Sequence, residues 1–205
     1  MNRQVYLASS SPRRAELLTQ IGVGFETIDV NVDERRISHE APEEYVSRLA
    51  LSKADAGCQM VSDYTAFPVV GADTAVVING EILGKASNRE HGIEMLKKLS
   101  GHTHWVYTGV AVVGKSETTR LSVSEVTFRE IMFEELQSYW LTGEPMGKAG
   151  GYAIQGMGAM FVSKLTGSYS GVMGLPVFET AEMLKEHNVC LLSHSSDNDA
   201  AELVR

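Results

Sequence analysis

Several charged residues stand where stability alone would not place them. Asp73 interrupts the apolar run VVGADTAVVI, where a carboxylate is costly unless it is paired or binds a cation. Arg13 and Arg14 follow Ser9-Ser10-Ser11-Pro12, a serine–proline start for a helix, and cations there oppose the helix dipole. Lys53 lies within the apolar stripe Val46, Leu49, Ala50, Ala54 of a second helix, where it either snorkels or points at something anionic. Glu34, in the polar turn NVDERR, reads alone as a solvated charge, and Lys85, after EILG, is individually uninformative.

The chemistry these types offer is anion binding and proton transfer. A helix start presents free backbone N–H groups and a positive dipole end, and arginines add fixed charge and bidentate donors. Local chemistry therefore leaves two readings of ASSSPRR: a capped helix with a solvated basic end, or a phosphate site. Asp73 has two readings as well, a structural ion pair with a lysine or arginine, or a functional carboxylate. Strand alternation puts Asp73 and Thr74 on opposite faces. Both can then serve one pocket only if Gly71 or a strand bend alters the geometry. His102 and His104 would share a face in a strand, but no third ligand lies at a recognisable spacing, so zinc is not expected. Tyr139-Trp140 and Met157–Phe161 read as packing. No P-loop is present, and GKAGGYAIQG lacks the strand–helix frame of a dinucleotide fingerprint.

The elements that must position these residues alternate between strand and helix. Val5–Leu7 predicts a strand, and Ser11 the N-cap of a helix that carries Leu17, Leu18 and Ile21 to Gly22. A strand is expected over 25–30, and a stronger helix from Pro42. The stretch 68–83 reads as a hairpin turning at Asn79-Gly80. Ser87 and Glu90 form a capping box for a helix ending at Leu99 and Gly101. Long strands over 104–114 and 119–131 and a short helix over 133–142 follow. A glycine-rich loop over 147–162 then leads into a strand. The loop 167–176 is expected to bring Pro176 to the start of the last helix.

With 205 residues, net charge −8 and 43% hydrophobic residues, the chain reads as a globular α/β unit of one domain, residues 1–193, with a flexible tail over 194–205. The acidic balance argues against nucleic acid or an anionic membrane as partner, yet permits a small polyanion in a locally basic cleft. No leader or membrane-spanning run is read, and Cys58 and Cys190 are expected to be reduced, buried thiols.

In order, LASSSPRRAELL, VDE at 32–34, GADTAVVINGEILGK, AGGYAIQG and GSYSGVMGLP resemble the Maf family of nucleoside triphosphate pyrophosphatases over about residues 4–188. The resemblance implies an α/β fold: an elongated mixed sheet flanked by helices, with two lobes around a central cleft, similar to the inosine triphosphate pyrophosphatases. It also implies a cytoplasmic homodimer that cleaves a nucleoside triphosphate to monophosphate and pyrophosphate with a divalent metal, Mg²⁺, Mn²⁺ or Co²⁺. By motif match, Asp73 takes the position of the catalytic proton acceptor. Ser9, Arg13, Lys53 and Lys85 match substrate-binding positions, and Glu34 and Asp73 the metal ligands. Arg14, Thr74 and Gln155 match the specificity positions of the dTTP/UTP-preferring type. Two departures are Gly171, where the family expects asparagine, and Ala86, where proline is usual. A second reading is a nucleotide-binding regulator of septum formation or cell division with little turnover.

Overall fold

The computed structural model describes residues 3–191; the expected domain end at 193 and the tail over 194–205 lie outside them. The apolar stretches pair into one mixed sheet of seven strands. These are β1 (Val5–Ala8), β2 (Phe25–Thr27), β3 (Val69–Ile78), β4 (Glu81–Leu83), β5 (Thr103–Val113), β6 (Glu117–Phe128) and β7 (Val162–Thr166). Their spatial order is β2-β1-β3-β5-β6-β7, and β4 pairs with β3 off that path.

β1 is parallel to both β2 and β3, since helices α1 (Pro12–Gln20) and α2 (Pro42–Met60) return the chain across the sheet. The other pairs are antiparallel. The β3–β4 hairpin turns at Asn79 and Gly80 with φ of 51° and 78°, the left-handed pair that a two-residue I′ turn requires.

Four further helices, α3 (Arg89–Leu99), α4 (Phe133–Leu141), α5 (Tyr169–Met173) and α6 (Val177–Glu186), cover the sheet. Two lobes emerge because β3 and β5 are longer than either apolar cluster. At the β1 end, Leu17 and Leu18 of α1 and Met183 of α6 bury against Val70 and Val110. Ala50 and Ala54 of α2 cover the other face over Val69 and Ala111. At the far end, Leu96 and Leu99 of α3 and Leu136 of α4 close over Val106, Phe128 and Phe161.

Small residues bring α2 unusually close to the sheet. A Cβ on Gly71 would lie 2.2 Å from the Ala50 carbonyl oxygen, and one on Gly109 2.5 Å from that of Val46. The helix can settle this low only because both strand positions lack a side chain.

The register leaves a gap beside β3. Its pairing with β1 ends at Ala8↔Gly71, and its pairing with β4 begins at Val76↔Leu83. Over Ala72–Ala75, only β5 bonds to it. The two faces of the sheet therefore meet at an open strand edge.

Local expectations shift in several places. β2 stops at Thr27, because Ile28 and Val30 leave the edge to pack beneath α2. Asn88, not Ser87, caps α3, accepting the His91 N–H. The 167–176 loop contains α5, and Pro176 is the N-cap of α6. A 3₁₀ turn, Met157–Phe161, precedes β7. Both cysteines are free, but Cys190 is exposed and Cys58 half-buried, so neither is the buried thiol expected.

Candidate active site

At that open edge lies a cavity of about 670 Å³, lined by Ser9, Arg13, Arg14, Glu34, Lys53, Asp73, Thr74, Lys85 and Gln155 among others. Its size falls within the range of small-molecule sites. These nine residues come from six separate segments and meet there. Asp73 and Thr74 do point to opposite faces, and the gap, rather than a bend at Gly71, opens both to one cavity.

On the α2 face, Lys53 is 8% exposed and Asp73 is also 8% exposed. Lys53 Nζ donates to Asp73 Oδ1 at 2.6 Å and pairs with Glu34 Oε1 at 2.8 Å. Lys53 thus neither snorkels nor awaits an anion alone; it joins two carboxylates. Lys85 Nζ lies 3.4 Å from Glu34 Oε2. Burial pushes the Glu34 carboxyl upward, but the Lys53 hydrogen bond and the charges of Lys53 and Lys85 hold it below its ordinary range. Tyr45 of α2 donates to the Glu34 carbonyl oxygen at 3.0 Å. Arg48, a turn later, bonds both oxygens of the buried Glu40 carboxylate. These two contacts fix the loop that carries Glu34.

On the opposite face the arginines separate. Arg14 donates from Nε to the Gly174 carbonyl oxygen at 2.8 Å, from one terminal nitrogen to Ser9 Oγ at 2.9 Å, and from the other toward Thr74 Oγ1 at 3.4 Å. Burial lowers its pKa, and no carboxylate bonds it among the described residues. Thr74 Oγ1 continues to Thr108 Oγ1 at 3.0 Å, and Thr108 donates to the Gly171 carbonyl oxygen at 2.8 Å. Gly171 also packs tightly: a Cβ there would lie 2.9 Å from Ser122 Oγ. Arg13, half-buried at the helix start, makes no side-chain hydrogen bond among the described residues, and burial lowers its pKa too. Ser11 occupies the N-cap, but its hydroxyl caps nothing. Ser9 Oγ holds the turn instead, accepting the Ser11 N–H at 3.2 Å.

Glu144, Lys148 and Tyr152 also line the cavity, and nothing in their local sequence singles them out. Tyr152 hydroxyl lies 2.8 Å from Nε2 of the fully buried His104. His102 turns away to the Ser100 carbonyl oxygen, so the two histidines do not form a pair. Burial pushes His104 down to about 4. Its unfolded counterpart titrates near ~6.5. The depressed value means stability is complete above that ordinary value and is lost as pH falls toward 4. Urea unfolding should therefore show a loss of about 2 kcal/mol between pH 7.5 and pH 5 from this group. His104→Phe should flatten that part of the profile, and an unchanged profile would refute the neutral buried imidazole.

Asp73 Oδ2 has no hydrogen-bond partner among the described residues, and Glu34 supplies a second carboxylate at the same ammonium. No group of three histidine, cysteine or acidic residues suited to a metal forms among the described residues. The two carboxylates offer oxygen donors, which fit a hard cation that also takes phosphate oxygens and water.

Fold and site together define an α/β protein with a polar, cation-rich cleft built for a phosphorylated small molecule. The family model described as Maf-like protein matches residues 4–187, and the chain belongs to that family. It is 55% identical over 193 residues to a dTTP/UTP pyrophosphatase of Alkalilimnicola ehrlichii, covering 93% of this chain and 96% of that one. A dTTP/UTP pyrophosphatase of Saccharophagus degradans is 51% identical over 187 residues, covering 90% and 89%. Among solved structures, the Staphylococcus aureus Ham1 protein superposes with a TM-score of 0.42 at 19% identity, over 63% of this chain and 72% of that one.

Proposed function

We propose that this chain hydrolyses nucleoside triphosphates, dTTP and UTP foremost, to the monophosphate and pyrophosphate. One observation carries the reading: a buried carboxylate, Asp73, faces a cavity that also holds Arg13, Arg14, Lys53 and Lys85. A protein that only bound a polyanion would gain nothing from a carboxylate there. The printed activity of relatives that share about half its residues over nearly their whole length supports the same conclusion.

Asp73 Oδ2 takes the proton of a water that attacks the α-phosphorus. The new bond forms between water oxygen and phosphorus as the bond to the β-phosphate bridging oxygen breaks, and pyrophosphate leaves with that electron pair. Lys53 keeps Asp73 oriented through its 2.6 Å contact and offers its remaining donor capacity to phosphate. Ser9 and Arg13, at the start of α1, and Lys85 bind phosphate oxygens, since positioning and charge neutralisation dominate this chemistry. Mg²⁺, Mn²⁺ or Co²⁺ held by Glu34 and Asp73 would supply further neutralisation of the phosphates. Arg14, Thr74 and Gln155 select the base; the Gln155 amide can donate to and accept from a pyrimidine edge.

The reading brings with it the family's cytoplasmic homodimer, and the net charge of −8 argues against nucleic acid or an anionic membrane as partner. No helix among the described residues is long and apolar enough to cross a membrane. The alternative, a nucleotide-binding regulator of septum formation, predicts binding alone. The purified chain with Mg²⁺ or Mn²⁺ should release one pyrophosphate for each dTMP or UMP formed, and faster than it does from purine triphosphates. Tight nucleotide binding without release would hand the site to the regulator. Equal rates on every base would remove the specificity role of Arg14, Thr74 and Gln155.

A further inference from the structure

We propose that Lys148 and Arg13 form an anion clamp across the cleft that holds the two distal phosphates, the pair that leaves as pyrophosphate. The proposal rests on the hydrolase reading and adds a substrate-binding residue to it. Among the cations lining the cavity, Lys53 and Lys85 meet Glu34, and Arg14, with no acid, is held by three neutral oxygens. Arg13 and Lys148 differ. Both are half-buried and line the cavity, and neither forms an ion pair among the described residues.

Glu16 and Glu144 are the acids whose charges act on Arg13; neither forms an ion pair with it among the described residues, and Glu144 is already occupied. Its Oε1 accepts from the Tyr139 hydroxyl at 2.7 Å and from the Gly158 N–H at 2.9 Å, and its Oε2 accepts from the Met157 N–H at 2.9 Å. Lys148 Nζ donates only to the Glu144 carbonyl oxygen. Burial, and then the positive charge of Arg13, lower the Lys148 pKa. Two half-buried like charges with no ion-pair contact are unfavourable in a free protein, and an oxyanion between them removes the conflict.

The pair also spans the two lobes. Arg13 belongs to α1, whose Ala15 packs in the cluster at the β1 end. Lys148 belongs to the loop after α4, whose Ala149 packs on the far cluster. A bound polyphosphate would therefore tie the lobes together, and its release would free them.

Calorimetric titration with tripolyphosphate, which carries the phosphates without the base, tests the clamp directly. Lys148→Met should weaken tripolyphosphate by about tenfold or more, the scale of one lost charge-assisted bond, and Lys148→Arg should restore most of it. In dTTP turnover the KM of Lys148→Met should rise more than its kcat falls. Should Lys148→Met fail to fold, reductive methylation of the wild-type chain decides: tripolyphosphate should protect Lys148, read by mass spectrometry. Equal binding by Lys148→Met, no tripolyphosphate binding by the wild type, or equal methylation with and without tripolyphosphate each overturn the proposal. The clamp and the hydrolase reading fail separately. Wild-type turnover with an unaffected Lys148→Met ends the clamp alone, whereas protected Lys148 in a chain that never releases pyrophosphate ends only the hydrolase reading.

Discussion

Asparagine in place of Asp73 is expected to cut dTTP turnover by about a thousandfold, the scale of a lost general base, while nucleotide binding is kept or tightened. The two side chains have nearly the same shape, so the cavity should survive. What disappears is the proton acceptor, together with the charge that Lys53 meets at 2.6 Å. Lys53 retains Glu34 as a partner at 2.8 Å, so its ammonium is not left buried alone. Removing a negative charge from beside a polyanion also favours binding. Steady-state kinetics and calorimetric titration of the same preparation check both halves. Turnover within about tenfold of wild type would move the proton acceptor elsewhere.

The second large effect is expected at a residue with no side chain of its own. Gly71→Ala places a methyl 2.2 Å from the Ala50 carbonyl oxygen and 2.7 Å from the Ala54 nitrogen. Both are helix backbone, which cannot rotate out of the way, so α2 must lift from the sheet. The cost should be about 1–3 kcal/mol of unfolding free energy, the usual scale of overpacking. Lifting α2 also withdraws Lys53 from Asp73, so turnover should fall in whatever fraction stays folded. Gly84→Ala is the control, since a Cβ there meets nothing within 4 Å, and it should change stability by less than about 0.5 kcal/mol. Urea unfolding midpoints compare the three proteins. A Gly71→Ala chain as stable as wild type would mean that α2 does not rest on the sheet as closely as described.

Much of the site was legible because its residues are misplaced by the standards of folding. Asp73 in an apolar strand, arginines at a helix start and Lys53 in an apolar stripe each conflict with their local surroundings, and all meet in one cavity. Element types were legible for the same reason that periodicity works: α2 and the β3–β4 hairpin have strong patterns and an unambiguous turn. What single residues do not carry is register. That the pairing of β3 with β1 ends at Gly71 while its pairing with β4 begins at Val76 depends on strand lengths set by neighbours, and this gap is what lets Asp73 and Thr74 share a cavity. Gly71 reads locally only as a possible bend and Gly109 carries no local signal, because the meaning of both lies in a helix distant in sequence. Lys148 and Glu144 gave no local signal, as a lysine in a glycine-rich loop and a glutamate before proline are common on surfaces. Short elements such as α5 and the Met157–Phe161 turn are set by tertiary contacts, among them the bond from Thr108 to the Gly171 carbonyl oxygen.

The account centres on water, delivered by Asp73, attacking the α-phosphorus. Hydrolysis of dTTP in ¹⁸O-labelled water, with both products read by mass spectrometry, tests this most directly. The label is predicted in dTMP, with unlabelled pyrophosphate released beside it. Label in pyrophosphate, or release of dTDP and labelled orthophosphate, would place the attack on another phosphorus and contradict the role given to Asp73.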